Sequence, residues 1–160
     1  MEVDVKRVDY SDPKQCDDLL LLLDAYAQDP MGGGESLKQA PKQNLIKALQ
    51  ARPFMRSFIC YVDGQPAGFA NCIESFSTFK CQAILNIHDF AVNPQFRGMQ
   101  LSQTLMTAIE QCAAQMGCCK ITLEVLEGNV PAQNAYIKAG FKGYELDPEM
   151  GKAMFWEKSL

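Results

Sequence analysis

The most informative part of the sequence is ILNIHDFAVNPQFRGMQLSQTL, residues 84–105. Its first part, Ile84–Val92, is a mainly apolar run with the length and composition of a buried β-strand. The loop Gln95–Gln100 follows, and from Leu101 onward apolar residues recur with the period of an amphipathic helix. A strand that enters a glycine-containing turn and then a helix presents free backbone N–H groups at the positive end of the helix dipole. The sequence therefore predicts an anion-binding loop between this strand and this helix.

The loop departs from two familiar phosphate-binding motifs. It has no Gly-Lys-Ser/Thr sequence, and it has the single glycine Gly98 where dinucleotide-binding loops have three. We therefore expect an anionic ligand other than ATP or NAD. A phosphate-ester hydrolase would need metal-binding carboxylate clusters or a P-loop lysine, and the sequence offers neither.

The loop resembles the cofactor loop of the GNAT N-acetyltransferase family, which reads Gln/Arg-x-x-Gly-x-Gly/Ala after a strand. Gln95, Gly98 and Gln100 occupy its defined positions, although the family prefers Gly or Ala where Gln100 stands. The family's downstream pattern is also present without a gap, in the residues Asn129, Ala132, Tyr136, Gly140 and Phe141. The segments Ile87–Val92 and Asn129–Ala132 look most like the polyamine and thialysine acetyltransferase branch.

The resemblance implies an α/β (α+β) GNAT fold over a single domain, residues 1–160. Its mixed, mostly antiparallel central sheet would have about seven strands, flanked by about four helices. Periodicity and turn signals give the order β-α-α-β-β-β-α-β-α-β-β. Asp63-Gly64 predicts a tight hairpin, and the last two strands are expected near Phe141–Leu146 and Ala153–Glu157.

The composition is typical of a globular protein. Of the 160 residues 48% are hydrophobic and 21% are charged, and the net charge is −4. Without a Lys/Arg cluster we expect no nucleic-acid partner, and an acidic balance is compatible with a cationic acceptor. No apolar stretch is long enough to span a membrane and no signal core is evident, so we expect no membrane partner and a cytoplasmic protein. A homodimer is left open.

The cysteines number seven, carry no Cys-x-x-Cys spacing, and are accompanied by only one histidine, His88. We expect them to be reduced, small and buried, and we expect no metal site.

The resemblance implies acetyl-CoA as the acetyl donor. Backbone N–H groups from Phe96 to Ser102 would bind the pyrophosphate, and a backbone amide within Phe90–Val92 would polarise the thioester carbonyl where the strand leaves regular pairing. A helical backbone at Gln100 would not require glycine, so its amide would remain available. The expected cofactor-binding residues are Phe90, Ala91, Val92, Gln95, Phe96, Arg97, Gly98, Met99, Gln100, Leu101, Ser102, Asn129, Asn134 and Tyr136.

Three residues are the candidates for proton transfer. Tyr136 matches the family's proton donor to the departing thiolate; the alternative is a half-buried core tyrosine. His88 replaces a glutamate of the polyamine branch, and an imidazole with an ordinary pKa of about 6.5 is a suitable base that Asn86 could orient. The alternative is a histidine satisfied in the core, with Asp89 and Glu124 as reserve bases acting through water.

Together these features predict an acetyl-CoA-dependent N-acetyltransferase that acts on an amine of a small molecule or peptide by direct attack in a ternary complex. The alternative is a non-catalytic module that binds acyl-CoA or a regulatory ligand. The loop Asp29–Leu37, with acidic residues and three glycines, is either an acceptor gate or an ordinary solvent loop. Small amines, amino acids, drugs and protein amino termini all remain open as acceptors.

Overall fold

The computed structural model describes all 160 residues and contains five β-strands and four α-helices. The strands are β1 (Val3–Arg7), β2 (Met55–Val62), β3 (Gln65–Ser77), β4 (Gln82–Val92) and β5 (Lys120–Leu123). The helices are α1 (Pro13–Gln28), α2 (Gln39–Gln50), α3 (Leu101–Gln115) and α4 (Val130–Lys138). Short 3₁₀ turns occupy Pro30–Gly32 and Pro94–Phe96.

The five strands form one mixed sheet in the order β1-β2-β3-β4-β5. The first four strands are antiparallel neighbours, and β5 runs parallel to β4. The hairpin between β2 and β3 turns at Asp63 and Gly64, which both have positive φ angles, of 48° and 78°. That geometry is the one a two-residue hairpin loop requires, so the predicted hairpin is confirmed.

Helices cover both faces of the sheet. α1 and α2 pack on one face over a cluster that includes Leu19, Ile59 and Phe69. α3 packs on the other face with a buried stripe of five residues, Leu101, Leu105, Met106, Ile109 and Ala113. α4 lies beside α3, where Tyr136 packs against the same cluster. This arrangement confirms the α+β class and the four predicted helices.

The predicted number of strands is wrong, because the two final strands do not form. Residues 141–160 contain a turn at Asp147–Gly151 and one backbone hydrogen bond from Ala153 to Tyr144, without a ladder. The large apolar side chains of this segment are exposed: Leu146, Met150, Met154, Phe155 and Trp156. The local pattern favoured strands, but a strand is stabilised by pairing and by a buried face, and this segment makes no ladder with the open edge of β5 and leaves most of its large apolar side chains exposed.

The cysteines are all free, yet only three of the seven are buried, namely Cys16, Cys60 and Cys72. Cys81 is exposed, so the expectation of burial is wrong for that residue. No helix combines the length and apolar character needed to cross a membrane.

β4 differs from a regular strand in two ways. It pairs with β3 along its length but with β5 only from Ile84 to Ile87, so its edge on the β5 side is free from His88 to Val92. Its register with β3 also shifts, because Cys72 faces Ile87 whereas Asn71 faces Asp89. His88 is therefore an extra residue, which makes a β-bulge. The irregular pairing was expected at Phe90–Val92; it lies at His88 instead, and Phe90–Val92 pair regularly with β3.

Candidate active site

A cleft of ≈ 540 Å³ opens at the carboxyl end of β4. One wall comes from α1 and the turn after it, with Tyr26, Asp29 and Met31. The opposite wall comes from α3 and α4, with Ser102 and Tyr136. The cleft exists because β5 ends opposite Ile87 while β4 continues, which leaves a gap beside the free edge of β4.

The bulge at His88 decides which side chains of β4 reach each wall. Leu85 and Ile87 face the α3 side of the sheet, and after the extra residue it is Phe90 and Val92 that continue on that side. Ala91 packs on the α1 side instead. Because side chains alternate along a strand, one extra residue reverses the pattern beyond it. Without the bulge, Asp89 would share the buried face of Leu85 and Ile87.

Tyr136 lies between two aromatic rings on the α3 side. Its ring centroid is 5.9 Å from that of Phe90 and 6.0 Å from that of Phe141, both in edge-on contact. Burial, and to a smaller degree the hydroxyl of Tyr26, raises the pKa of Tyr136 to about 12. No hydrogen bond within the protein occupies its hydroxyl, and the residue lines the cleft. A protonated donor therefore faces the space where a ligand would lie.

The anion-binding loop offers fewer amides than the sequence predicted. The N–H groups of Phe96 and Arg97 are used within the 3₁₀ turn, where they donate to Asn93 and Pro94. The amides of Gly98, Met99 and Gln100 donate to no acceptor in the protein, and the next two begin α3, where a helix has no preceding carbonyls. Five consecutive amides from Gly98 to Ser102 are thus available at a helix amino terminus.

Gln100 has a left-handed backbone, with φ 59° and ψ 27°. The expectation that this position would be helical and indifferent to glycine is wrong. A side chain is disfavoured in this region because Cβ crowds the backbone, which accounts for the preference for a small residue here. The side chain forms no capping hydrogen bond that would offset this strain.

Asp89 and His88 occupy different surroundings although they are adjacent. The Asp89 carboxylate accepts a hydrogen bond of 3.0 Å from the side-chain amide of Asn71. His88 is exposed, which excludes the core histidine considered as the alternative. Asn86 donates to Thr122 of β5 at 3.0 Å, and it makes no bond to His88 that would orient the ring. Neither His88 nor Asp89 is part of the cleft lining, whereas their neighbour Phe90 is.

The loop after α1 is held by specific contacts. The Asp29 carboxylate accepts from the amide of Met31 at 2.9 Å and lies 3.9 Å from the Arg97 guanidinium of the anion-binding loop. Further along, Asp24 accepts from the hydroxyl of Ser36 and the amide of Leu37, both at 2.7 Å. The segment Asp29–Leu37 thus contacts the cleft at its first residues and is attached to α1 at its end.

The remaining sequence candidates have mainly structural surroundings. The Asn129 side chain caps α4 by accepting from the amide of Ala132 at 3.3 Å, and it also lines the cleft. Asn134 and Glu124 are exposed outside the cleft lining. Sequence reasoning missed Tyr26 and Asn71; Tyr26 lies on the apolar stripe of α1, and nothing distinguished either from a packing residue.

Comparison with known proteins identifies the family. Residues 20–141 match the model of the Acetyltransferase (GNAT) family. The chain belongs to this family. The match includes the anion-binding loop, the free edge of β4 and Tyr136.

Individual GNAT relatives are distant. A streptothricin acetyltransferase of Streptomyces lavendulae is 36% identical over 93 residues, which are 58% of this chain and 47% of that protein. A thialysine N-epsilon-acetyltransferase of Caenorhabditis elegans is 30% identical over 82 residues, which are 51% of each. The chain therefore spans about half the length of these curated relatives.

Solved GNAT structures support the fold. An aminoglycoside N-acetyltransferase determined in complex with CoA superposes with a TM-score of 0.74 at 16% identity, covering 99% of this chain and 96% of that one. The present site fits such a ligand in its donor chemistry, because successive free amides at the start of α3 suit the anionic oxygens of a pyrophosphate.

Proposed function

We propose that this protein transfers the acetyl group of acetyl-CoA to an amine of a small molecule or peptide, by direct attack within a ternary complex. The observation that carries the proposal is the Tyr136 hydroxyl, which lines the cleft, has no partner in the protein and has a raised pKa. It faces the same opening as the free edge of β4 and the amides of the anion-binding loop.

Acetyl-CoA would supply an activated acetyl group as a thioester. The protein would bind the cofactor, polarise the thioester carbonyl and protonate the departing sulfur. The amides from Gly98 to Ser102 would donate to the pyrophosphate, and a backbone amide of Phe90–Val92 on the free edge of β4 would donate to the thioester carbonyl. Because burial keeps Tyr136 protonated far above neutral pH, its hydroxyl is able to donate to the departing sulfur.

An amine must lose its proton to act as the nucleophile, and two neighbouring groups are the candidate bases. His88 is exposed at the bulge, where water reaches it. Asp89 is half-buried and bonded to Asn71. Glu124 is exposed in the loop after β5 and stays a third candidate that would act through water.

A cationic acceptor is favoured by the charges on the α1 side. Asp29 lines the cleft there, and the charges of Asp89 and Asp29 both raise the pKa of Tyr26 on the same wall, after burial as the main cause. Relatives named for thialysine and streptothricin agree with an amine acceptor, and assignment to the polyamine and thialysine branch is part of this proposal. A single domain over residues 1–160, a cytoplasmic location and a homodimer stay predictions.

The test is a screen of thiol release from acetyl-CoA against a panel of mono-amines, polyamines, amino acids, aminoglycosides and peptides. At least one amine should give acceptor-dependent release together with an acetylated product in the mass spectrum. Tyr136→Phe serves as the control, since it should bind acetyl-CoA and turn over slowly. Calorimetric binding of acetyl-CoA without release from any amine would instead favour a non-catalytic binding module.

A further inference from the structure

A chain of hydrogen-bonded side chains crosses the α1 side of the sheet and ends at Asp89. The Tyr10 hydroxyl lies 2.8 Å from the Ser57 hydroxyl, Ser57 donates to the Asn71 side-chain oxygen at 2.6 Å, and the Asn71 amide donates to Asp89 at 3.0 Å. We propose that Asn71, with Ser57 and Tyr10 behind it, positions the Asp89 carboxylate to bind a cationic group of the acceptor. This inference rests on the proposed function and deepens it.

The direction of every bond in this chain is fixed by chemistry. A carboxylate only accepts, so the Asn71 amide nitrogen must face Asp89 and its oxygen must face Ser57. Ser57 has a single proton and donates it to that oxygen, so Tyr10 must donate to Ser57. All three donors therefore point toward Asp89. A side-chain amide does not relay a proton at neutral pH, so the chain orients the carboxylate and does not carry a proton from it.

Asp89 has no cation of its own in this protein. Asn71 supplies its only side-chain hydrogen bond, and none of the five ion pairs includes it. A half-buried carboxylate without a positive partner in the protein is available to pair with a cationic group of a ligand. The titratable side chains on which its charge acts, Tyr26 and Cys72, are neutral at physiological pH because burial raises the pKa of both.

Asp89 lies next to the cleft on the α1 side of the sheet. Asp89 pairs with Asn71 across the β3–β4 ladder, and Ala91 pairs with Phe69 two residues nearer the strand end. Phe69 and Ala91 line the cleft, and Tyr26 packs edge-on over Phe69 with ring centroids 6.0 Å apart. Asp89 is thus the next residue on the α1 face of β4 beyond the cleft-lining Ala91, on the side of the sheet opposite Tyr136.

The supporting residues are buried. Ser57 is 0% exposed and Asn71 is 4% exposed, and they are the two buried residues of the protein that are polar and not hydrophobic. Buried polar groups are retained where every donor and acceptor is satisfied, and such a network holds its last member in one orientation. If packing were their only role, apolar side chains at these two positions would cost less free energy to bury.

The experiment measures the kinetic parameters for the amine acceptor and for acetyl-CoA separately in Asn71→Leu, which keeps the branched shape of the side chain and deletes the bond to Asp89. The kcat/KM for a diamine acceptor should fall about 10- to 100-fold, as expected for loss of a hydrogen bond to a charged group, while the KM for acetyl-CoA stays unchanged. In an Asp89→Asn background, the further substitution Asn71→Leu should lower kcat/KM for the diamine only slightly more. Calorimetry with the diamine cadaverine should show the same loss of affinity without any turnover.

Tyr61→Phe is the matched control, because Tyr61 donates to the Asp18 carboxylate at 2.8 Å on the same side of the sheet but outside this chain. The proposal is overturned if Asn71→Leu lowers kcat/KM for the diamine no more than Tyr61→Phe does. It is also overturned if Asn71→Leu impairs the parameters for acetyl-CoA and for the acceptor equally, or if the parent protein does not bind cadaverine. Cadaverine binding that depends on Asn71, in a protein that releases no thiol with any amine, would support the anchor and contradict only the proposed acetyl transfer.

Discussion

Phe90 meets Tyr136 edge-on, with ring centroids 5.9 Å apart and an interplanar angle of 74°. This contact depends on the extra residue at His88, because regular alternation would have turned Phe90 to the α1 side of the sheet. The bulge therefore produces two features of the site together. It places Phe90 in contact with Tyr136, the candidate acid, on one wall of the cleft, and it turns Asp89 toward Asn71 on the α1 side of the sheet.

Tyr136→Phe should lower kcat by roughly 10²–10⁴-fold, because it deletes the proton donor while keeping the ring. Since the hydroxyl has no partner in the protein, the free energy of unfolding and the affinity for acetyl-CoA should stay close to the parent values. Steady-state kinetics with a competent amine and denaturant unfolding check both statements. Unchanged turnover would mean that Tyr136 has only a packing role.

The ionisation of Tyr136 should appear in alkaline titrations. Its folded pKa of about 12 is higher than the ordinary value of about 10, so the neutral phenol is favoured in the folded state. Its contribution to stability is complete below pH 10 and is lost as the pH rises toward 12. The ultraviolet difference spectrum between the parent and Tyr136→Phe should show a phenolate that titrates near 12. A difference band that titrates near 10 would contradict this prediction.

Gln100→Gly should stabilise the protein by about 0.5–1 kcal/mol, because glycine adopts the left-handed backbone without Cβ strain. Binding of acetyl-CoA should be equal or tighter, since the amide remains and the side chain is removed. Thermal unfolding and calorimetry are the measurements. Gln100→Ala is the control, because it shortens the side chain but retains Cβ and the strain; equal stability of the two variants would argue against strain at this position.

His88→Gln should leave the free energy of unfolding within about 0.5 kcal/mol of the parent, because the side chain is exposed and makes no hydrogen bond. If His88 is the base, the parent's rate profile should have an acidic limb that does not move when acceptors of different basicity are compared. The variant should lose that limb and turn over slowly. An acidic limb that persists in the variant would mean that the base is Asp89, Glu124 or water. Asp89→Asn is then the next variant to compare.

Gly32→Ala should destabilise the protein by about 1–3 kcal/mol, because a Cβ at this position would lie 2.0 Å from the carbonyl oxygen of Tyr26. The turn after α1 would have to move, and with it Asp29 on the cleft wall, so the acceptor KM should rise. Gly128→Ala is the matched control, since its added Cβ would meet nothing within 4 Å. Equal unfolding midpoints for the two variants would contradict the close approach.

The amino-acid order alone was sufficient for the family resemblance, the four helices, the β2–β3 hairpin and the position of Tyr136. These features depend on local signals: Asp12 caps α1 through its side chain, Asp63-Gly64 suits a two-residue turn, and apolar residues in α3 recur on one face. Features of this kind are encoded within a few residues, so spacing reveals them.

Other features required the assembled sheet. The bulge at His88 arises from the register between β3 and β4, and the left-handed backbone at Gln100 from the way the loop enters α3. The last two strands do not form although their local pattern was favourable, because residues 141–160 make no backbone hydrogen bond to the open edge of β5. The hydrogen-bonded chain from Tyr10 to Asp89 joins four segments that are far apart in the sequence. Pairing and packing between distant segments leave no periodic signal, so only the tertiary structure brings these residues together.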